Sequence, residues 1–228
     1  MKAVLAILVV VAQIFYGATL FASSFEEVKK AAERGDVIAQ FNLGLMFYNG
    51  QGVRQDYALA CQWWEKAAAQ GNADAQGNLG VMYEAGYGVR QDFALARQWY
   101  EKAAAQGDAR AQCALGLMYA EGQGVRQDYA LARQWYEKAA AQGDAPAQCN
   151  LGLMYYGVRQ DFALARQWLE KAAAQEYAPA QCALGYMYEN GHGVRKDFSL
   201  AKEWFGKACD NGLQKGCDEY KKLNEMGY

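Results

Sequence analysis

The sequence predicts an all-α protein, a right-handed α-solenoid of stacked helix-turn-helix repeats. Three observations carry this. The string GVRQDYALACQWWEKAAAQG at Gly52 returns with few changes at Gly88, Gly124 and Gly157 and, more diverged, at Gly193, so most of the chain repeats a unit of about 36 residues. Within each copy the apolar residues keep helical spacing, as in Ala39, Leu43, Met46 and Phe47 or Ala60, Trp63, Trp64 and Ala67, and no stretch alternates with the two-residue period of a strand. Helix punctuation recurs in register: Asp56, Asp92, Asp128, Asp161 and Asp197 stand where an N-cap is needed, and Gly71, Gly107 and Gly143 where a helix must stop. A helix pair alone cannot bury its apolar stripe, so stacking on neighbours must supply the core.

Residues 1–24 read as an export signal: Lys2, then the apolar run from Ala3 to Phe15, then small residues at Ala18, Ala22, Ser23 and Ser24. Those small residues favour removal. The competing reading is an uncleaved anchor, since Ala3 to Ala22 is about long enough to span a bilayer. Residues 25–35 form a capping half-repeat, like a second helix with Glu27 where the tryptophan should stand. Residues 36–212 hold five repeats, at about 36–71, 72–107, 108–143, 144–176 and 177–212.

In each repeat the first helix carries the block that reads AQFNLGLMF at Ala39 and returns at Ala75, Ala111, Ala147 and Ala180. Asp36, Asn72, Asp108 or Asp144 precedes it, and Pro146 and Pro179 fall in first turns, where no amide hydrogen bond is lost. Glycines 44, 80, 116, 152 and 185 let helices approach closely, and Trp63, Trp99, Trp135, Trp168 and Trp204 are expected as large core fillers. The fourth repeat reads MYYGV where the third reads MYAEGQGV, so three residues are missing. Tyr155 and Tyr156 border the resulting notch, either as interface anchors or as side chains that close it. Residues 213–228 form a capping helix, charged through Lys215, Asp218, Glu219, Lys221, Lys222 and Glu225 as an exposed end requires.

Composition narrows the function classes. Lys and Arg number 23 against 25 Asp and Glu, a net charge of -2, which offers no basic excess for a nucleic acid. One histidine, His192, rules out a His-rich zinc centre and a multi-histidine relay, and in its Gly-His-Gly loop it is expected to be exposed and idle. Arg54, Arg90, Arg126, Arg159 and Arg195 are expected as a solvated row balanced by the neighbouring aspartates.

The pattern A-x-A-Q-x-x-L-G-x-M-Y, then G-x-G-V-x-x-D-x-x-x-A-x-x-W-x-x-K-A-A, resembles the Sel1-like repeat family, relatives of tetratricopeptide repeats, over nearly all of Phe25 to Met226. The resemblance implies a non-enzymatic scaffold or adaptor, exported to the periplasm or beyond, that binds a protein or peptide on the concave face. It implies no cofactor, metal or catalytic residue, no nucleic-acid partner and, once the signal is cleaved, no stable membrane insertion. A cysteine-rich bacterial branch of the family is linked to penicillin binding and β-lactamase activity, so a β-lactam-binding hydrolase is the alternative. That branch carries C-x7-C bridges, and Cys209 and Cys217 have this spacing in one copy only. Cys209 would end a second helix and Cys217 open the cap, which suits a disulfide in an oxidising compartment. Ser199 and Lys202 satisfy the S-x-x-K pattern of penicillin-recognising enzymes, but the companion S-D-N and K-T-G elements are absent.

Differences between copies mark where function has room to sit. The second helices hardly vary and are assigned to the convex layer, whereas the first helices vary at the positions of Ile38, Asn42, Leu45, Asn78, Val81, Asn150 and Tyr186. These seven are the candidate binding residues. Asn42, Asn78 and Asn150 precede Leu-Gly, where tetratricopeptide repeats present an asparagine to a peptide backbone, and an amide offers both donor and acceptor. Ala114 and Ala183 interrupt that ladder, and drift on a solvated surface is the other reading. Cys113, Cys149 and Cys182 share one repeat position, too far apart to bridge, either as reduced core fillers or as an exposed thiol row; Cys61 has no evident mate.

Overall fold

Capping aspartates start the helices. In a computed structural model that describes residues 25–228, the Asp56 and Asp197 carboxylates accept from the amides of Leu59 and Leu200, and Asp36 and Asp144 do the same for first helices at Ala39 and Ala147. The chain divides into two compact units, one ending at Asp108 and the other Ala109–Tyr228. Residues 1–24, read above as an export signal, lie outside the described residues.

The first unit contains α1 (25–33), α2 (Val37–Asn49), α3 (Tyr57–Ala69), α4 (Ala73–Ala85) and α5 (Phe93–Ala105). The second contains α6 (Ala109–Glu121), α7 (Tyr129–Ala141), α8 (Ala145–Met154), a π-helical turn Tyr155–Arg159, α9 (Phe162–Ala173), α10 (Ala178–Asn190), α11 (Phe198–Asp210) and α12 (Gln214–Glu225). Among the described residues there is no strand. In the second unit each helix packs on the next, and the alternate helices α6, α8, α10 and α12 also touch in order, so the first helices and the cap form one layer.

The seam inside each pair is set by a glycine and the residue that covers it. A Cβ at Gly44, Gly80, Gly116 or Gly185 would overlap the ring of Trp64, Tyr100, Tyr136 or Phe205, and one at Gly152 would meet Leu169 Cγ at 2.8 Å. Those five covering residues are buried, Trp64 with its Nε1 donating to the Phe41 carbonyl at 3.1 Å. This corrects the expectation for the tryptophan row. Trp63, Trp99, Trp135, Trp168 and Trp204 are only half-buried, because they lie one residue, about 100° of helix, away from the seam. Trp99, Trp168 and Trp204 lean on the core shared by the preceding repeat and their own first helix. A lysine three residues on covers each tryptophan ring, Lys66, Lys102, Lys138, Lys171 and Lys207 standing 3.7, 3.9, 4.0, 3.9 and 4.2 Å from the centroids.

A second seam joins repeats, and it is polar. Gln40, Gln76, Gln148 and Gln181 are buried, and each donates through Nε2 to the carbonyl eight residues earlier, at Ala32, Ala68, Ala140 and Ala173. Each accepts at Oε1 from the amide at the end of its own repeat's second helix: Gln70, Gln106, Gln175 and Asn211, at 2.8 to 3.0 Å. One buried amide thus holds the second helix before it and the second helix after it. Ala32 plays the same part in α1, which is why residues 25–33 cap the stack.

The shortened repeat is absorbed without a gap. Its first helix ends at Met154 and runs into the π-helical turn, after which Gln160 takes φ 53°. Tyr155 is 8% exposed and joins the core, so it closes the notch. Tyr156 is half-buried, its hydroxyl 2.5 Å from His192 Nδ1. His192 is therefore not idle: it also stacks on Phe162, with centroids 4.9 Å apart and planes at 15°. In the same repeat Glu176, at φ 60°, occupies the left-handed position that Gly71, Gly107 and Gly143 take elsewhere.

At the C-terminal end Cys209 and Cys217 stand as a disulfide pair with Cα atoms 4.5 Å apart, tying α11 to α12. Only Gly216 and Leu223 of α12 are buried. A short closed loop of this kind contributes about 2.5 kcal/mol. Replacing both cysteines by serine is expected to speed amide exchange in α12 on the order of 50-fold and to leave α10 unchanged; equal protection in α12 would refute the anchoring role.

Candidate functional site

The variable positions of the first helices help to build a cleft in each unit. In the first unit Leu45, Tyr48 and Asn49 of α2 face Asn78, Val81 and Met82 of α4 across the Trp64 ring, enclosing about 170 Å³. Three of the seven sequence-predicted residues, Leu45, Asn78 and Val81, are brought together here. Tyr48 and Trp64 form the floor with tilted rings 5.5 Å apart. Val81 is 43% exposed, so an apolar edge reaches solvent.

The remaining predicted residues are dispersed. Ile38 is 68% exposed, Asn42 is exposed, and neither lines the cleft. Asn150 in the second unit turns its Nδ2 toward Cys113 Sγ at 3.9 Å, so this amide faces a helix neighbour rather than a ligand. Tyr186 lines a second cleft, of about 250 Å³, with Leu153, Tyr156, Leu169, Ala183 and Asn190. Its hydroxyl donates to Glu219 Oε1 at 2.7 Å. Burial and then that bond raise the phenol well above its ordinary range, while the same bond holds the Glu219 carboxyl below the usual carboxylate value.

The cysteine row is reduced and withdrawn. Cys149 and Cys182 are buried and Cys113 half-buried. Burial pushes the Cys113 and Cys149 thiols each up to about 12, and Cys61, whose Sγ faces the Tyr87 carbonyl at 3.7 Å, to about 11. Buried or half-buried, these thiols do not form the exposed row of the alternative reading. Lys202 donates to Asn224 Oδ1 at 2.7 Å and to the Tyr228 carbonyl at 2.5 Å, so its ammonium serves the C-terminal cap, while Ser199 is exposed. Arg54, Arg90, Arg126 and Arg195 are exposed, and the aspartates expected to balance them cap helices instead. Among the described residues no group of three or more His, Cys, Asp or Glu is placed to hold a metal, and no helix is long and apolar enough to cross a membrane.

Sequence reasoning missed the glutamine seam and the second cleft. The first had a signal in the unvarying Gln at the second block position paired with the Gln or Asn ending each second helix. The second had one in Leu169, which alone breaks the aromatic series Trp64, Tyr100, Tyr136 and Phe205.

Comparison with known families matches the Sel1 repeat over residues 37–72, 73–108, 109–144, 145–177 and 178–213. Among solved structures, a Sel1 repeat protein from Oxalobacter formigenes is 31% identical with a TM-score of 0.85, covering 96% of this chain and 90% of that one. A protective antigen of uropathogenic Escherichia coli strains, displaying an SLR fold, is 36% identical with a TM-score of 0.79; the match covers 91% of this chain, which spans only 50% of that one. An immunity protein from Pseudomonas aeruginosa, 23% identical over 86% of this chain and 76% of its own with a TM-score of 0.57, shares the fold alone. A search of the curated proteins gives no match. Five consecutive repeat matches, the paired-helix architecture and these neighbours together place the chain in the Sel1 repeat family, with the α-solenoid fold.

Proposed function

We propose that this chain is an exported, non-enzymatic adaptor that binds an extended segment of a partner protein along the inner face of its first helices. The observation that carries the reading is the cleft of the first unit, where Leu45 and Val81 offer apolar contact and the Asn78 amide offers a donor and an acceptor. An extended peptide presents this combination, alternating side chains with unpaired backbone groups. Export is supported by the signal-like run at the start of the sequence and by the Cys209–Cys217 pair, of a kind found mainly in oxidising compartments. The E. coli relative's description as a protective antigen is compatible with that location.

The test is capture from an extract of the native periplasm, with mass spectrometry, by wild type and by Val81→Asp. Val81 is partly exposed, so the variant leaves the melting temperature unchanged. The expected result is one or a few proteins enriched by wild type and reduced at least tenfold by Val81→Asp, with the binding segment then mapped on tiled peptides of the captured protein. Identical capture by both would overturn the proposal, as would finding the native protein confined to the cytoplasm.

A further inference from the structure

The two clefts occupy equivalent positions in the repeat. Leu45, Tyr48, Trp64, Asn78 and Val81 in the first correspond to Leu153, Tyr156, Leu169, Ala183 and Tyr186 in the second. Two of these exchanges remove polar or aromatic bulk, Trp64 becoming Leu169 and Asn78 becoming Ala183, while Val81 becoming Tyr186 adds a ring whose hydroxyl is held by Glu219. The volume grows from about 170 to about 250 Å³. Every other repeat has an aromatic ring at the position of Leu169, so the fourth lacks one that its siblings carry. A closed cavity of about 150 Å³ lined by aliphatic side chains suffices for benzene, and this cleft, open on one side, offers about 250 Å³.

The walls are already set. Tyr156 is held by the His192 bond and by an edge contact to Phe162, with centroids 5.2 Å apart. Tyr186 is held by Glu219 and by an edge contact to Phe205 at 5.0 Å. Asn190 Nδ2 donates to the Tyr186 carbonyl at 2.9 Å. The two tyrosine hydroxyls and the Asn190 Nδ2 are thus engaged with their own neighbours, and the lining is otherwise apolar: Leu153 and Ala183, two tyrosine rings and, buried beneath them, Leu169. A pocket fixed in advance loses little freedom when it is filled.

We infer that this cleft is an anchor pocket for one phenylalanine side chain of the partner segment, which enters past Leu153 and packs against the Tyr156 and Tyr186 rings, in the space that the shorter Leu169 side chain leaves above it. The inference rests on the adaptor reading and adds the specificity of one subsite. A charged side chain would lose its hydration among Leu153, Leu169 and Ala183 with nothing to replace it. A leucine side chain would leave part of the space empty.

The test is methyl NMR of the full mature chain, labelled at Leu, Val and Ala, titrated with N-acetyl-phenylalanine amide and, separately, N-acetyl-leucine amide. The expected result is saturable shifts of the Leu153, Leu169 and Ala183 methyls with a Kd on the order of 1 mM, ordinary for a ligand of about fifteen non-hydrogen atoms. The Leu45 and Val81 methyls should not titrate with them. Leu169→Phe restores the sibling ring and should weaken binding at least tenfold while raising the melting temperature. Leu153→Asp, at a side chain 44% exposed, should weaken binding similarly in a folded protein. Absence of saturable shifts in wild type, equal affinity in both variants, or equal binding of the leucine amide would overturn the pocket. The titration reads the pocket without any partner. Its failure with Val81-dependent capture intact removes this subsite alone, and its success with capture lost removes only the adaptor reading.

Discussion

Gln148→Glu is expected to destabilise the chain by about 3–5 kcal/mol at pH 7, measured by urea unfolding. Gln148 is 6% exposed, donates to the Ala140 carbonyl at 3.2 Å and accepts from Gln175 Nε2 at 3.0 Å. A carboxylate keeps the second bond but turns an unprotonated oxygen toward the Ala140 carbonyl, so a buried charge meets an acceptor. The new carboxyl must therefore titrate above the ~4.3 of an exposed glutamate when folded. A group raised on folding stabilises below its unfolded value and loses that contribution as pH rises through its folded value. The deficit against wild type should accordingly be full at pH 7 and shrink toward pH 4, where the neutral acid donates to Ala140 as the amide did. A deficit equal at both pH values would mean that Gln148 acts by packing alone.

Gly116→Ala should cost about 1–3 kcal/mol despite replacing glycine within a helix. Helix propensity alone favours alanine there by about 1 kcal/mol, so the sign of the change is diagnostic. A Cβ at this position would sit 2.5 Å from Tyr136 Cδ1 and 2.6 Å from Cε1, and Tyr136 is only 2% exposed, with little room to withdraw. Combining Gly116→Ala with Tyr136→Ala should then cost less than the sum of the two by at least 1 kcal/mol in a double-mutant cycle. If Gly116→Ala alone proved neutral or stabilising, the close approach of α6 and α7 would not be a determinant of the fold.

Much of the architecture was legible because its signals are local. Asp56 caps a helix through an amide three residues away, and the glycine-paired loops repeat in register, so neither depends on what the helix later packs against. Site reading was weaker. Leu45, Asn78 and Val81 converge, whereas Asn150 turns to Cys113, because the same position faces a different neighbour once the adjacent first helix carries a cysteine. The tryptophan row was misplaced by one residue, since helical periodicity defines a broad apolar stripe and does not say which edge of it meets the partner helix.

By itself the sequence determined the repeat, the helix ends, the two-helix unit and the glycine positions, all of which follow from spacing, capping and backbone conformation within a few residues. Only the tertiary structure decided that Trp64 and its counterparts, rather than the tryptophans beside them, fill the seam. It alone placed Gln175 against Gln148, seated Tyr156 on His192 and opened the second cleft beside Leu169. Those outcomes depend on distances between side chains some 30 residues apart, which are settled when the helices pack and a buried amide or a vacated ring position finds its neighbours.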